Sequence, residues 1–105
     1  MKEISFIKNE KLSSIFSIEI AEIIDNEIRN KNNKKFLVTI IKVSINNDMN
    51  FMKIYIKIYP YFNKYILKLI RSKSHFYRKL LSKRLRYRVK KIPKLDFLVS
   101  KNEFN

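Results

Sequence analysis

Few side chains in this sequence have the type and spacing for acid–base or nucleophilic work. Glu19 and Glu22 sit one helical turn apart, a spacing that suits a metal ion or proton transfer, but no second group of His, Asp or Glu joins them. They read as solvent-facing charges. His75 is the one histidine, cysteine is absent, and no Ser–His–Asp set assembles around it. Glycine is absent too, so there is neither a phosphate-cradling P-loop nor a dinucleotide fingerprint. No enzyme is expected, and no cofactor, metal or small-molecule substrate.

What remains is cation chemistry. From Lys64 to Lys94 there are thirteen Lys or Arg and no Asp or Glu, whereas residues 1–28 carry three basic and six acidic side chains. Over the whole chain, 24 basic residues against 9 acidic ones give a formal charge of +15, a field that attracts nucleic acid first and anionic membrane second. Lys, Asn, Ile, Phe and Tyr all have AT-rich codons, so the total says little about function and the uneven placement says more. Phosphate binding needs donors along one face. Arg78, Lys79, Lys83, Arg84, Arg86, Arg88, Lys90 and Lys91 supply them, from a helix and the extension RLRYRVKK that follows it. The plain alternative is a solvated surface, and the exclusion of acids argues against it. No helix carries Asn, Gln and Arg at base-reading positions, so single-stranded or irregular RNA suits the segment better than DNA. A membrane reading would insert Phe76, Tyr77, Leu80 and Leu81 of the same helix in lipid, stripping the rest of the fold of its cover.

The elements that must hold these donors follow from hydrophobic period. KLSSIFSIEIAEIIDNEIR, from Lys11 to Arg29, sets Leu12, Phe16, Ile20, Ile23, Ile24 and Ile28 along one side of a helix, with Glu19, Glu22 and Asn26 opposite. Asn30 to Lys35 has no apolar residue and reads as a loop. FLVTIIKVSI, Phe36 to Ile45, is β-branched, a strand with Thr39, Ile41, Val43 and Ile45 on one face. Beyond a hairpin loop, NNDMN, the strand Phe51 to Tyr59 alternates cleanly. Met52, Ile54, Ile56 and Ile58 face one way, and Phe51, Lys53, Tyr55, Lys57 and Tyr59 the other. Aromatics interleaved with lysines on that second face suit base stacking, but an exposed edge strand kept soluble by lysine is the favoured reading.

Pro60 ends that strand, and Phe62, Ile66, Leu69 and Ile70 mark a second helix. A third starts near Ser74, whose hydroxyl is placed to cap its first turn. Phe76, Tyr77, Leu80 and Leu81 point inward, and His75, Arg78, Lys79, Ser82 and Lys83 outward. After Pro93 comes a last strand, with Leu95, Phe97 and Val99 on one face. The predicted order is α-β-β-α-α-β. This is an α+β arrangement with helices on one face of a three-stranded sheet, and a single domain over residues 1–105. Met1-Lys2-Glu3 begins no signal-like segment and no run approaches the ~20 apolar residues of a membrane span, so a soluble cytoplasmic protein is expected.

Four stretches, in this order, also have a family likeness. They are EIAEIIDNEIR from Glu19, the hairpin VTIIKVSINNDMNFMKIYI from Val38 with Asp48 and Lys53-Ile54-Tyr55, FYRKLLSKRLRYR from Phe76, and IPKLDF from Ile92. Together they resemble ribosome-binding factor A, a family of bacterial small-subunit assembly factors built on a KH-type (type II-like) domain. Members interrupt their two C-terminal helices at Ala-x-Gly, where other KH domains carry Gly-x-x-Gly. Here Lys73-Ser74-His75 stands at that joint, so both signature residues are replaced, and a positive φ at His75 would be tolerated. Lys94 replaces the Glu of the family's Pro-Glu-Leu and adds positive potential. The resemblance implies a non-catalytic monomer that binds 16S rRNA in late 30S precursors, near the decoding region, and assists their maturation. It adds Lys73, Ser74, His75 and Lys94 to the RNA-binding set. A general RNA chaperone or a small ribosomal protein of KH-like fold is the alternative.

Overall fold

A helix whose apolar residues recur every three or four positions must lay that stripe on something. Helix α1, Lys2–Asn30, does so with Leu12, Phe16, Ile20, Ile23, Ile24 and Ile28, all buried. The computed structural model describes residues 2–30 and 35–100, with side chains described for 11–29 and 35–100. The helix starts at Lys2 rather than at Lys11, where the apolar stripe becomes legible. Most of the expected loop from Asn30 to Lys35 lies outside the described residues; Asn30 itself ends α1.

Strands β1, Leu37–Ile45, and β2, Phe51–Tyr59, pair antiparallel from Leu37 opposite Tyr59 to Ile45 opposite Met52. The Asn46 side chain holds the turn between them, its Oδ1 accepting from the N–H groups of Asn50 at 2.9 Å and Phe51 at 3.0 Å. In β2 the expected alternation is complete: Met52, Ile54, Ile56 and Ile58 are fully buried. β1 departs from its expected face. The register shifts between Ile40 and Lys42, so Val38 and Ile40 face the core before the shift, and Val43 and Ile45 after it. Ile41 is the extra residue and is 41% exposed, and Thr39 is exposed as well. One inserted residue moves every later side chain to the other face, which a strict period of two cannot anticipate.

The last strand, β3, Lys94–Val99, pairs parallel to β2, from Phe51 opposite Lys94 to Ile56 opposite Val99. The sheet order is therefore β1-β2-β3. β2 is the middle strand, not an edge, which removes the physical basis for reading its lysines as edge protection. A parallel neighbour needs a long crossover. Helices α2, Lys64–Ser72, and α3, Ser74–Arg84, provide it and cover the same sheet face as α1.

Asn63 starts α2, its Oδ1 accepting from Tyr65 N–H at 2.9 Å and Ile66 N–H at 3.1 Å. Ile66 and Ile70 are buried, while Phe62 lies ahead of the helix and is exposed. A single residue, Lys73, separates α2 from α3, with φ −100° and ψ 6°. Ser74 is consequently the first residue of α3, and no side chain caps that helix. The cap expected from Ser74 is not made. Nor does the joint use a positive φ: His75 is helical, and among the described non-glycine residues only Met49 has one, at 61°. With α3 so fixed, Tyr77, Leu81 and Leu85 form the buried stripe and Phe76, 46% exposed, falls outside it.

Tyr77 packs edge-on against Phe97, with ring centroids 6.1 Å apart. Its hydroxyl is buried without a hydrogen-bond partner among the described residues, as is Oε1 of Glu27. Burial, and then the Glu27 charge, push the Tyr77 phenol well above its usual range, so it stays neutral. Among the described residues no helix is long and apolar enough to cross a membrane.

Candidate nucleic-acid interface

The third helix ends when Leu85 N–H bonds to Leu81 C=O at 2.9 Å, and Arg88 and Val89 N–H both return to Leu85 C=O. This turn sends the chain back past α3 toward β3. Between helix and returning segment lies a groove of about 450 Å³. His75, Lys79 and Ser82 line it from α3, and Arg86, Val89 and Lys90 from the other side. His75, Lys79 and Ser82 follow one another at helical spacing on one face of α3, and Arg86 joins the lining from the turn beyond its end. Among the described residues no carboxylate lines the groove.

Arg78 closes the groove's base. Its Nε and Nη2 donate to the carbonyl of Ile92 at 3.0 and 2.8 Å, tying α3 to the segment that enters β3. This is a charge-assisted fork on one acceptor, a contact that lysine's point charge cannot reproduce. Arg78 is thus half-buried and structural as well as part of the lining.

The other expected site residues divide. Lys83 and Arg88 are exposed on α3 and the turn beside the groove. Lys73 and Ser74 are half-buried at the joint, Lys73 with its Nζ 5.5 Å from the centre of the Phe76 ring. Lys91 donates from Nζ to Asn50 Oδ1 at 2.9 Å, bracing the β1–β2 turn. Arg84 turns toward α1, where Nη1 meets Glu19 Oε1 at 3.1 Å and Glu22 Oε1 at 3.2 Å. The Glu19 hydrogen bond raises the Arg84 pKa further, so the guanidinium stays charged, but its charge is opposed. Glu22 does face solvent and Glu19 is half-buried, and both reach across from α1 to the Arg84 guanidinium at the end of α3. Lys94 points from β3 to the sheet face opposite the helices, in register with Phe51. The structure thus gathers His75, Arg78, Lys79, Arg86 and Lys90, and places Lys94 away from them.

Sequence reasoning put Ser82 on the outer face of α3 without counting it as a site residue; its position seven residues after His75 was the available signal. The Ile92 carbonyl left no trace in side-chain type. Chemically, the groove offers lysine, arginine and imidazole donors over an apolar strip of Val89 and Ile92, an arrangement that takes phosphate and sugar. Among the described residues no three His, Cys, Asp or Glu side chains gather to hold a metal ion.

Comparison with known proteins bears on this geometry. The profile of the family described as ribosome-binding factor A matches residues 8–103. The ribosome-binding factor A of Phytoplasma mali is 35% identical over 95 residues, covering 88% of this chain and 81% of its own. That of Flavobacterium psychrophilum is 25% identical over 93 residues, covering 88% and 72%. Among solved structures, the crystal structure of ribosome-binding factor A from Thermus thermophilus superposes with a TM-score of 0.68 at 20% identity, over 87% of this chain and 94% of that one. A homology model of the Thermus thermophilus protein, fitted into the cryo-EM map of a 30S–RbfA complex, gives a TM-score of 0.63 at 18% identity, over 83% and 93%. The two structures share the α+β, KH-like fold, and the family profile takes in most of α1 and the whole of the other five elements. The chain belongs to the ribosome-binding factor A family.

Proposed function

We propose that this protein is one KH-like RNA-binding domain that binds 16S rRNA in late precursors of the 30S subunit and assists their maturation without catalysing a reaction. The observation that carries this reading is the acid-free groove at the α3 joint, on a fold whose Thermus relative was fitted into a 30S complex. His75, Lys79, Arg86 and Lys90 contact phosphates inside the groove, and Lys83 and Arg88 extend the contact along its rim. Lys73 and Ser74 position the joint. The protein works as a cytoplasmic monomer. Binding one arrangement of the RNA more tightly than another shifts the RNA's folding equilibrium by that difference in affinity, and no chemical step is needed.

A sucrose-gradient profile of cell extract tests the proposal. An assembly factor travels with free small subunits and their precursors and is missing from translating ribosomes. Presence in translating ribosomes at the level of the small-subunit proteins would instead make it a ribosomal component. Absence from every subunit fraction would overturn the ribosomal assignment.

A further inference from the structure

The sheet has a second face that the groove does not use. Every helix packs on one side, leaving Phe51, Tyr55 and Tyr59 of the central strand on the other, Phe51 at 53% and Tyr59 at 46% exposure and Tyr55 half-buried between them. Four-residue spacing along a strand separates these rings by about 13 Å, too far for them to cover one another. Each therefore presents its own flat surface. Lys53 and Lys57 stand between them, and Lys57 Nζ lies 4.7 Å from the centre of the Tyr59 ring.

Cross-strand register adds to the pattern. Lys94 lies opposite Phe51, and Lys42 opposite Tyr55. The β1 bulge produces the second of these pairs. Were the register before Ile40 continued, Ile41 would face Tyr55 and Lys42 would turn into the core. The extra residue brings a cation beside the central ring. Asp96, opposite Lys53, is the acid that β3 brings to this face.

Edge protection does not account for this face, because β2 is paired on both sides from Met52 to Ile56. Solubility does not account for Phe51, whose side chain has no polar atom. Two exposed rings and a half-buried third, with cations between them, fit a partner that carries both flat apolar surfaces and regular negative charge. Lipid fits less well: Leu98 opposite Tyr55 and Leu37 opposite Tyr59 add apolar surface, but Lys42, Lys53 and Lys94 stand among the rings and interrupt it with charge. We infer that the open face of the sheet is a second RNA-binding surface, on which Phe51, Tyr55 and Tyr59 stack unpaired bases while Lys42, Lys53 and Lys94 hold the backbone.

This surface lies on the side of the sheet opposite the α3 groove and does not rest on the ribosomal assignment. Its test uses a generic single strand, a uridine decanucleotide carrying 5-iodouridine, with the purified full chain. Irradiation should crosslink the wild-type protein at Phe51, Tyr55 or Tyr59, as mapped by mass spectrometry. The double substitution Phe51→Leu with Tyr55→Leu keeps strand-forming apolar side chains but removes two flat surfaces. It should weaken binding of the same oligonucleotide about ten-fold or more while leaving the salt dependence unchanged. Lys79→Ala with Lys90→Ala, in the groove, should lower the salt dependence and keep the sheet crosslinks. Crosslinks confined to α3 and residues 85–92, or unchanged affinity in a folded double variant, would overturn the inference. So would a dimer in sedimentation equilibrium that Tyr55→Leu dissolves without changing RNA affinity, since a second copy would then occupy the face. Should the double variant fail to fold, the wild-type crosslink map decides alone.

Discussion

Arg78 and Lys79 are neighbours of like charge on the outer side of one helix, and by residue type they look interchangeable. The two donations from Arg78 to the Ile92 carbonyl separate them. A hydrogen bond from a charged group contributes about 1.5–3 kcal/mol, and removing the donor also strands a half-buried carbonyl. Arg78→Ala should therefore lower unfolding stability by about 1–3 kcal/mol in urea titration, with Arg78→Lys recovering only part of it because an ammonium cannot make the fork. Lys79 is exposed and has no such duty. Lys79→Ala should leave stability within about 0.5 kcal/mol of wild type and reduce the slope of log K against log salt for RNA binding by about one. A paired substitution of both residues would mix the two effects, so RNA contacts at this helix are better probed at Lys79 alone. Equal stability losses in the two single variants would show that the Ile92 contact contributes nothing.

Among the elements, legibility followed the integrity of the local period. The stripe of α1 and the alternation of β2 run unbroken, and every residue they assigned to the core is buried. In β1 the extra residue at Ile41 has no signature in an all-apolar, β-branched run, so the assigned face was right only after the bulge. The central place of β2 was not legible at all, since it depends on pairing with a strand some forty residues later. The contact of Arg84 with Glu19 spans 65 positions and was hidden for the same reason. The candidate site was legible as a charged segment but not as a groove, which needs the turn after Leu85 to fold Val89–Ile92 back beside α3. Capping is the sharpest case. Asn63 and Ser74 are both cap-type residues, but only Asn63 lies just outside a helix, because the joint leaves a single non-helical residue. Asn63→Ala should cost about 0.5–2 kcal/mol, while Ser74→Ala should change stability by less than about 0.5 kcal/mol. Thermal melts of the two variants check this, and the reverse order would mean that Ser74 caps α3 in solution.

For the molecule as a whole, the formal charge of +15 overstates what RNA can meet at the groove. Arg84 faces two carboxylates, Lys91 is bonded to Asn50, Arg78 to Ile92, and Lys94 lies on the opposite side of the sheet. Lys79, Lys83, Arg86, Arg88 and Lys90 present their charge in the groove and on its rim. At about −0.7 per neutralised phosphate of a single strand, five such contacts give a slope near −3.5 for log K against log salt. Titrating small-subunit RNA binding from low to moderate salt measures it. A flat dependence would rule out a phosphate-led interface, and a slope much steeper than this would mean that cations beyond the groove take part.

The parallel pairing of β2 with β3 also orders events in time. The β1–β2 hairpin closes over a five-residue turn, 46–50, and a contact that local can form within about 1–10 μs. β3 meets β2 only after the two crossover helices have brought it back, and ordering that longer connection costs more entropy before any sheet bond repays it. The groove depends on this late event, because Arg78 finds the Ile92 carbonyl only when the chain entering β3 has docked. On this ordering a newly folding molecule would acquire its open sheet face piecemeal, first Lys42 beside Tyr55, then Lys94 beside Phe51, with the proposed phosphate groove completed last. On the proposed function, RNA binding at that groove would report on completed folding: a chain caught halfway has a hairpin and a positive charge, but not the apposed helix and returning segment that line the groove.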